Sequence, residues 1–240
     1  MKTEKELRLD IVEAGRRLYA SGLIAGGDGN ISVRLPGDTL LATPSGKSKG
    51  FLKPEDLVIT DMNGRPLQSE AGRPSSEIQM HLLFYRLRPD VTAVVHAHPP
   101  TATGYAAAGL SLDKPLIAEA VLTLGKLALA PYGTPGTPEV SQGLAALVPE
   151  HDAILMANHG AVTAGPDLDQ ALYRMETIEH FAKISLVAHI LGREKAISDE
   201  NVRRLEQARL ELMEKENDRR TAAMIAEAVA AQILAMRKGA

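Results

Sequence analysis

The chain has 240 residues, 45% hydrophobic and 24% charged, which is enough for one large domain with a substantial core and gives no need for two. A formal net charge of −3 excludes the basic surface that a nucleic-acid binder needs, and 3% aromatic residues with no Trp leave little for stacking on bases. The absence of Cys excludes disulfides, thiolate metal sites and a Cys nucleophile. The first ten residues alternate charge and leucine, and no apolar run is long enough to span a bilayer, so a cytoplasmic protein without a membrane partner is expected.

Leu7, Ile11, Ala14 and Leu18 recur at helical spacing, and Gly22 ends the pattern. The Gly-rich stretch 26–30 cannot be regular. Short apolar stretches at 31–35, 39–42 and 56–61 read as strands, with Asn63-Gly64 as a turn. Pro74-Ser75-Ser76 opens a helix to about Leu87, with Ser76 and Gln79 placed as a capping box. Residues 91–98 form a strand that Pro99-Pro100 stops, and 101–108 a short helix. The run 116–124 fits either helix or strand, 127–130 reads as a strand and 138–147 as a helix.

Residues 153–157 are a buried strand, Asn158-His159-Gly160 a tight turn and 161–164 the next strand. A long helix follows over 167–191. The segment 198–240 lacks Pro and favours helix as a C-terminal extension of the single domain 1–240, with a possible break at 217–220. Ile225, Val229 and Ile233 give its second half an apolar stripe, which packs either on its own subunit or across a neighbour. Strands and helices intermix without a strict βαβ rhythm. The expected class is α/β of the α+β type, a mostly antiparallel sheet flanked by helices.

His96 and His98 stand two apart on a predicted strand, so both imidazoles project to one face. A metal ion or an ordinary hydrogen-bonded pair fits these two residues alone. His159, at the end of another buried strand, can complete a three-histidine site of the catalytic-zinc type. His81, His151, His180 and His189 read as surface or packing residues. Ser75-Ser76-Glu77 at a helix start suits an anion or a plain helix cap, and the Gly-rich 26–30 and 43–46 stretches could be anion nests.

Gly29-Asn30-Ile31-Ser32, Thr43-Pro44-Ser45-Gly46, Pro74-Ser75-Ser76-Glu77, His96-Ala97-His98, Ala130-Pro131-Tyr132-Gly133 and Asn158-His159-Gly160 occur in this order. The set resembles the class II aldolase/adducin family over about four-fifths of the chain, most closely its fuculose-phosphate aldolase branch. The resemblance implies an antiparallel sheet between helix layers and a homotetramer with sites at subunit interfaces. It implies zinc, or manganese, on His96, His98 and His159, with Glu77 as acid/base. Asn30, Ser45, Gly46, Ser75 and Ser76 correspond to the phosphate-binding set of a small phosphorylated sugar. The expected reaction is aldol cleavage or formation through a metal-stabilised enediolate. A pentulose-phosphate 4-epimerase, a sugar-acid phosphate decarboxylase and a non-catalytic adducin-like scaffold are the alternatives. Two departures stand out. Residues 115–124 hold no Tyr where fuculose aldolases carry a catalytic one, with Ile117 near that place, and nothing after Ser198 is aromatic.

Overall fold

The computed structural model describes residues 2–67 and 72–238; the side chains of residues 220, 224, 225 and 227–238 lie outside that description. The chain begins with α1 (Glu4–Ala20), started by a capping box between Thr3 and Glu6. Strands β1 (Asn30–Leu35), β2 (Thr39–Ala42) and β3 (Val58–Asp61) form an antiparallel meander. Helix α2 (Ile78–Leu87) leads to β4 (Ala93–Ala97), which returns beside β1. Helices α3 (Pro100–Ala107) and α4 (Ala118–Leu124) precede β5 (Ala128–Ala130) and α5 (Pro138–Leu144). The hairpin β6 (Ala153–Met156) and β7 (Gly160–Gly165) is followed by α6 (Leu168–Ile190) and α7 (Asp199–Lys238).

The sheet order is β3-β2-β1-β4-β7-β6-β5, antiparallel throughout except for the parallel pair β5–β6. Strand alternation sends Val95 and Ala97 to one face of β4, and Val94 and His96 to the other. The first face packs under α1, α3, α4 and α6, through residues such as Ile11, Leu18, Leu124, Met175 and Phe181. The second packs under α2 and α5, through Met80, Phe84, Val140 and Leu144. This is the expected sheet between two helix layers.

Several expected boundaries move, each for a local reason. Residues Pro54–Asp56 form a 3-10 turn closed by Asp56 on the Lys53 N–H, so β3 starts at Val58. Strand β4 stops at Ala97, and His98 lies one residue beyond it. The run 116–124 is helical from Ala118, and α5 stops at Leu144. The Ser76–Gln79 capping box does not form: Glu77 takes the N-cap position, and Gln79 Nε2 donates to the Asn63 carbonyl. Helix α7 runs through residues 217–220 without a break. Its first half packs on α4 of its own chain, and Arg209 reaches Asp152 at 2.8 Å. The side chains of Ile225, Val229 and Ile233 lie outside the described residues.

Candidate metal centre and its surroundings

Two segments of chain, the end of β4 and the β6–β7 turn, bring the histidines together. His96 is buried on β4, opposite Asn30 in the β1–β4 register. His98 follows the strand end, where its N–H bonds the Leu23 carbonyl. His159 sits in the β6–β7 turn, which Asn158 closes with φ of 56°. Two glycines permit the approach. A Cβ on Gly160 would lie 2.5 Å from the Ala97 carbonyl oxygen and 2.7 Å from the His98 ring, and one on Gly29 would lie 2.8 Å from the His96 carbonyl oxygen. The Gly in Asn158-His159-Gly160 and in Gly29-Asn30 is therefore a packing requirement of the site.

The imidazole centroids are 4.8–5.2 Å apart. One nitrogen from each ring can be chosen so that all lie within 4.8 Å of one another. The Nε2 atoms of His96 and His98 are 3.1 Å apart. Two nitrogens held tetrahedrally by zinc are separated by about 3.3 Å, from bonds of roughly 2.0–2.1 Å. His96 Nδ1 lies 2.9 Å from the Ala161 carbonyl, an acceptor, so it carries the proton and leaves Nε2 with a free lone pair. His98 Nδ1 faces Asp28 at 3.5 Å, the outer carboxylate common behind metal-binding histidines. Burial lowers the pKa of His96 and of His98, so both rings are neutral. The donor set fits one divalent cation.

Glu77 reaches in from the start of α2. Its Oε1 is 3.0 Å from His159 Nε2 and its Oε2 is 3.4 Å from His96 Nε2. Facing neutral His96, the carboxylate makes a polar contact there rather than an ion pair. Oε1 is buried without a well-aligned donor, an orphaned acceptor that a cation or a substrate proton would satisfy. Oε2 accepts from Asn30 Nδ2 at 2.8 Å. Burial raises the Glu77 pKa, but the close His159 and His96 imidazoles and the Asn30 amide outweigh it. The carboxyl is held well below the usual carboxylate range.

Of the five residues expected to bind phosphate, Asn30 and Ser75 touch Glu77 beside this centre. The Thr43 hydroxyl accepts from the Ile31 N–H, which ties the 43–46 loop to β1. Ser45 N–H bonds the Arg73 carbonyl and Pro44 bridges Pro74 in antiparallel sense, so Ser45 stands opposite Arg73 on the segment that leads into Ser75. The Ser75 hydroxyl accepts from Asn30 Nδ2 at 3.1 Å and from the Glu77 N–H at 3.3 Å. Ser45, Gly46 and Ser76 are exposed. His151, His180 and His189 lie elsewhere; His151 bonds the Leu147 carbonyl and His189 faces Glu194.

His81 is different. It is fully buried and bonds both Asn30 and Ser32. The spacing is in the sequence but the packing that gives it meaning is not: Glu77 at the N-cap of α2, and His81 and Tyr85 on it, are spaced by four and face Asn30 and Ser32, spaced by two on β1. A cleft of about 370 Å³ lined by Tyr105, Leu110, Leu186 and His189 lies on the opposite helix layer, away from the histidines. His159 itself lines a recess of only about 10 Å³, with Pro131, Gly133 and Met156.

The class II aldolase and adducin N-terminal domain family matches residues 9–186. A 3-oxo-tetronate 4-phosphate decarboxylase of Escherichia coli strain K12 is 35% identical over 190 residues, 78% of this chain and 89% of that protein. An L-fuculose phosphate aldolase of Methanococcus maripaludis strain S2 is 34% identical over 185 residues, 76% of this chain and 97% of that protein. The crystal structure of YgbL from Escherichia coli, described as an aldolase, epimerase or decarboxylase, superposes with a TM-score of 0.80 at 32% identity. It covers 85% of this chain and 100% of that one.

Proposed function

This chain belongs to the class II aldolase and adducin family, and from that premise we propose that it is a metal-dependent lyase. It breaks or makes a carbon–carbon bond beside the carbonyl of a small phosphorylated sugar. One observation carries the reading: the Glu77 carboxylate stands against His159 and His96, which converge with His98, and shares the Asn30 amide with the Ser75 hydroxyl. A scaffold that had lost the chemistry would have no reason to keep this arrangement.

His96, His98 and His159 hold the cation, zinc as our first assignment and manganese as the alternative. When bound it supplies Lewis-acid polarisation of the substrate's carbonyl and hydroxyl oxygens. Asn30 aims the Glu77 carboxylate by holding Oε2. Glu77 then gives a proton to, or takes one from, the carbon beside the carbonyl. The hydroxyls of Ser45, Ser75 and Ser76, the Gly46 N–H and the Asn30 amide hold the phosphate without an Arg. Residues 198–240 extend one catalytic domain.

Aldol cleavage is the reading closest to the motif set. The bond electrons pass to the fragment that keeps the ketone, and the hydroxyl of the other fragment loses its proton to a base as its carbon becomes the aldehyde. Decarboxylation of a 3-oxo sugar acid gives the same enediolate, and a specific observation favours it as the second reading. Carbon dioxide leaves without any proton exchange at an alcohol oxygen, whereas an aldolase needs an acid/base there, and residues 115–124 and the segment after 198 offer no Tyr. The epimerase reading is weaker, since that branch carries Asp where this chain has Glu77.

The test runs two arms on the zinc- and manganese-loaded protein. One supplies dihydroxyacetone phosphate with short aldehydes and measures the condensation product. The other supplies a 3-oxo sugar acid 4-phosphate and measures carbon dioxide. We expect turnover in one arm, and a fall of about 10²–10⁴-fold in Glu77→Gln with metal content retained. Absence of turnover in both arms with metal loaded, or full activity in Glu77→Gln, would overturn the reading.

A further inference from the structure

A buried polar chain crosses the interface of α2 with β1 behind Glu77. The Tyr85 hydroxyl is 2.9 Å from the Ser32 carbonyl and 2.8 Å from the Ser32 hydroxyl. Ser32 Oγ is 2.7 Å from His81 Nδ1, and His81 Nε2 is 2.5 Å from Asn30 Oδ1. Asn30 Nδ2 then donates to Glu77 Oε2 and to Ser75 Oγ. Ser32 and His81 are at most 1% exposed, and Tyr85 and Asn30 at most 3%.

The directions of these bonds can be deduced. A carboxylate only accepts, so Asn30 must present its NH₂ group to Glu77. Asn30 Oδ1 therefore faces His81 and can only accept, which puts the proton of the neutral imidazole on Nε2. His81 Nδ1 is then an acceptor, filled by the Ser32 hydroxyl. Burial holds His81 neutral, its pKa lowered to about 4, which agrees with a single ring proton. If the Asn30 amide turned over, its oxygen would oppose the carboxylate and its NH₂ would oppose the His81 N–H.

We infer that His81 is a positioning residue that locks the orientation of the Asn30 amide, and through that one amide holds both Glu77 and Ser75 in register for reaction. The inference rests on the proposed roles of Glu77 and Ser75. It assigns the Glu77–His81–Tyr85 stripe of α2 to the working site rather than to core packing. His81 touches neither the substrate nor the three convergent histidines. On the site its loss acts through Asn30, on proton transfer and phosphate binding together, and spares the metal.

The test uses the whole chain. Nitrogen-15 NMR of histidine-labelled protein reads the tautomer of His81 directly. His81→Leu and His81→Gln are then compared for zinc content, affinity for inorganic phosphate, and exchange of the C–H proton of dihydroxyacetone phosphate with solvent. We expect the Nε2–H tautomer in the parent. His81→Leu should keep one zinc per chain, bind phosphate about tenfold more weakly and exchange at least about tenfold more slowly, the scale of one buried hydrogen bond left unpaired. His81→Gln, whose amide can donate to Asn30 and accept from Ser32, should restore both to within about threefold of the parent. An Nδ1–H tautomer overturns the inference. So does a His81→Leu protein with parental phosphate affinity and exchange, or a His81→Gln protein no better than His81→Leu. A parent without any exchange would instead sink the proposed function, while the tautomer and phosphate measurements would still decide the role of His81.

Discussion

At the scale of the residue, the chemistry of the site depends on keeping imidazoles neutral inside the fold. His81 is the clearest case, because its ring is buried and its pKa falls from the usual 6.5 to about 4. The unfolded chain protonates this residue first as the pH drops. Stability is therefore complete above about pH 6.5 and is lost progressively down to about pH 4, where the folded protein also takes up the proton. The loss reaches roughly 2 kcal/mol by pH 5, from about 1.4 kcal/mol per pKa unit. Urea unfolding at pH 7.5 and pH 5 should show this extra loss in the parent and not in His81→Gln. A parent-to-variant difference that stayed constant with pH would mean that His81 is not held neutral by burial. The three convergent histidines and Glu77 were legible from motif order. Asp28, Ser32, His81 and Tyr85 were not, because each supports the site through a contact between distant segments. Only the packing of α2 on β1 makes the i, i+4, i+8 stripe face the alternating pair on the strand.

At the scale of the element, helix periodicity and strand alternation located almost every segment, and the errors lie at the ends. The Ser76–Gln79 capping box is an instructive failure. Its sequence pattern is correct, but the Ser75 hydroxyl and Glu77 are engaged by Asn30, so the helix starts later and its first turn serves the site. The polar stretch 217–220 does not break α7 either, since polar residues such as Asp218 and Arg219 suit an exposed helix face. What anchors that helix was hidden in the sequence. Asp152 pairs with Arg88, Arg174 and Arg209 at 2.8–2.9 Å, joining the end of α2, the body of α6 and α7 on one nearly buried carboxylate. Removing it leaves three guanidinium groups crowded together with little solvent. Asp152→Ala should therefore lose about 3–5 kcal/mol, the scale for breaking a buried ion pair by deleting one partner. Arg209→Met should lose much less and chiefly loosen α7. Denaturant melts of the two variants check this ordering, and equal losses would remove Asp152 from the centre of the cluster.

At the scale of the whole molecule, the two helix layers are unequal in what they cover. One layer closes over the sheet with α1, α3, α4 and α6, and the other with α2 and α5 alone. The recess of about 10 Å³ that His159 lines with Pro131, Gly133, Val140 and Met156 includes none of Glu77, His96 or Asn30, so it is not the place for a substrate. Tyr132 projects from the same 131–133 loop and is more than half exposed. The family resemblance implies a homotetramer with shared sites, in which a neighbouring copy would supply a further wall. Such an assembly ties turnover to concentration, because a dissociated chain keeps its cation ligands and loses substrate enclosure. Light scattering should give a mass near four chains. Serial dilution below the dissociation constant should lower turnover per chain in step with the loss of that mass, while zinc stays bound. A monomer of full specific activity would refute the shared wall and require the site to be closed from within one chain.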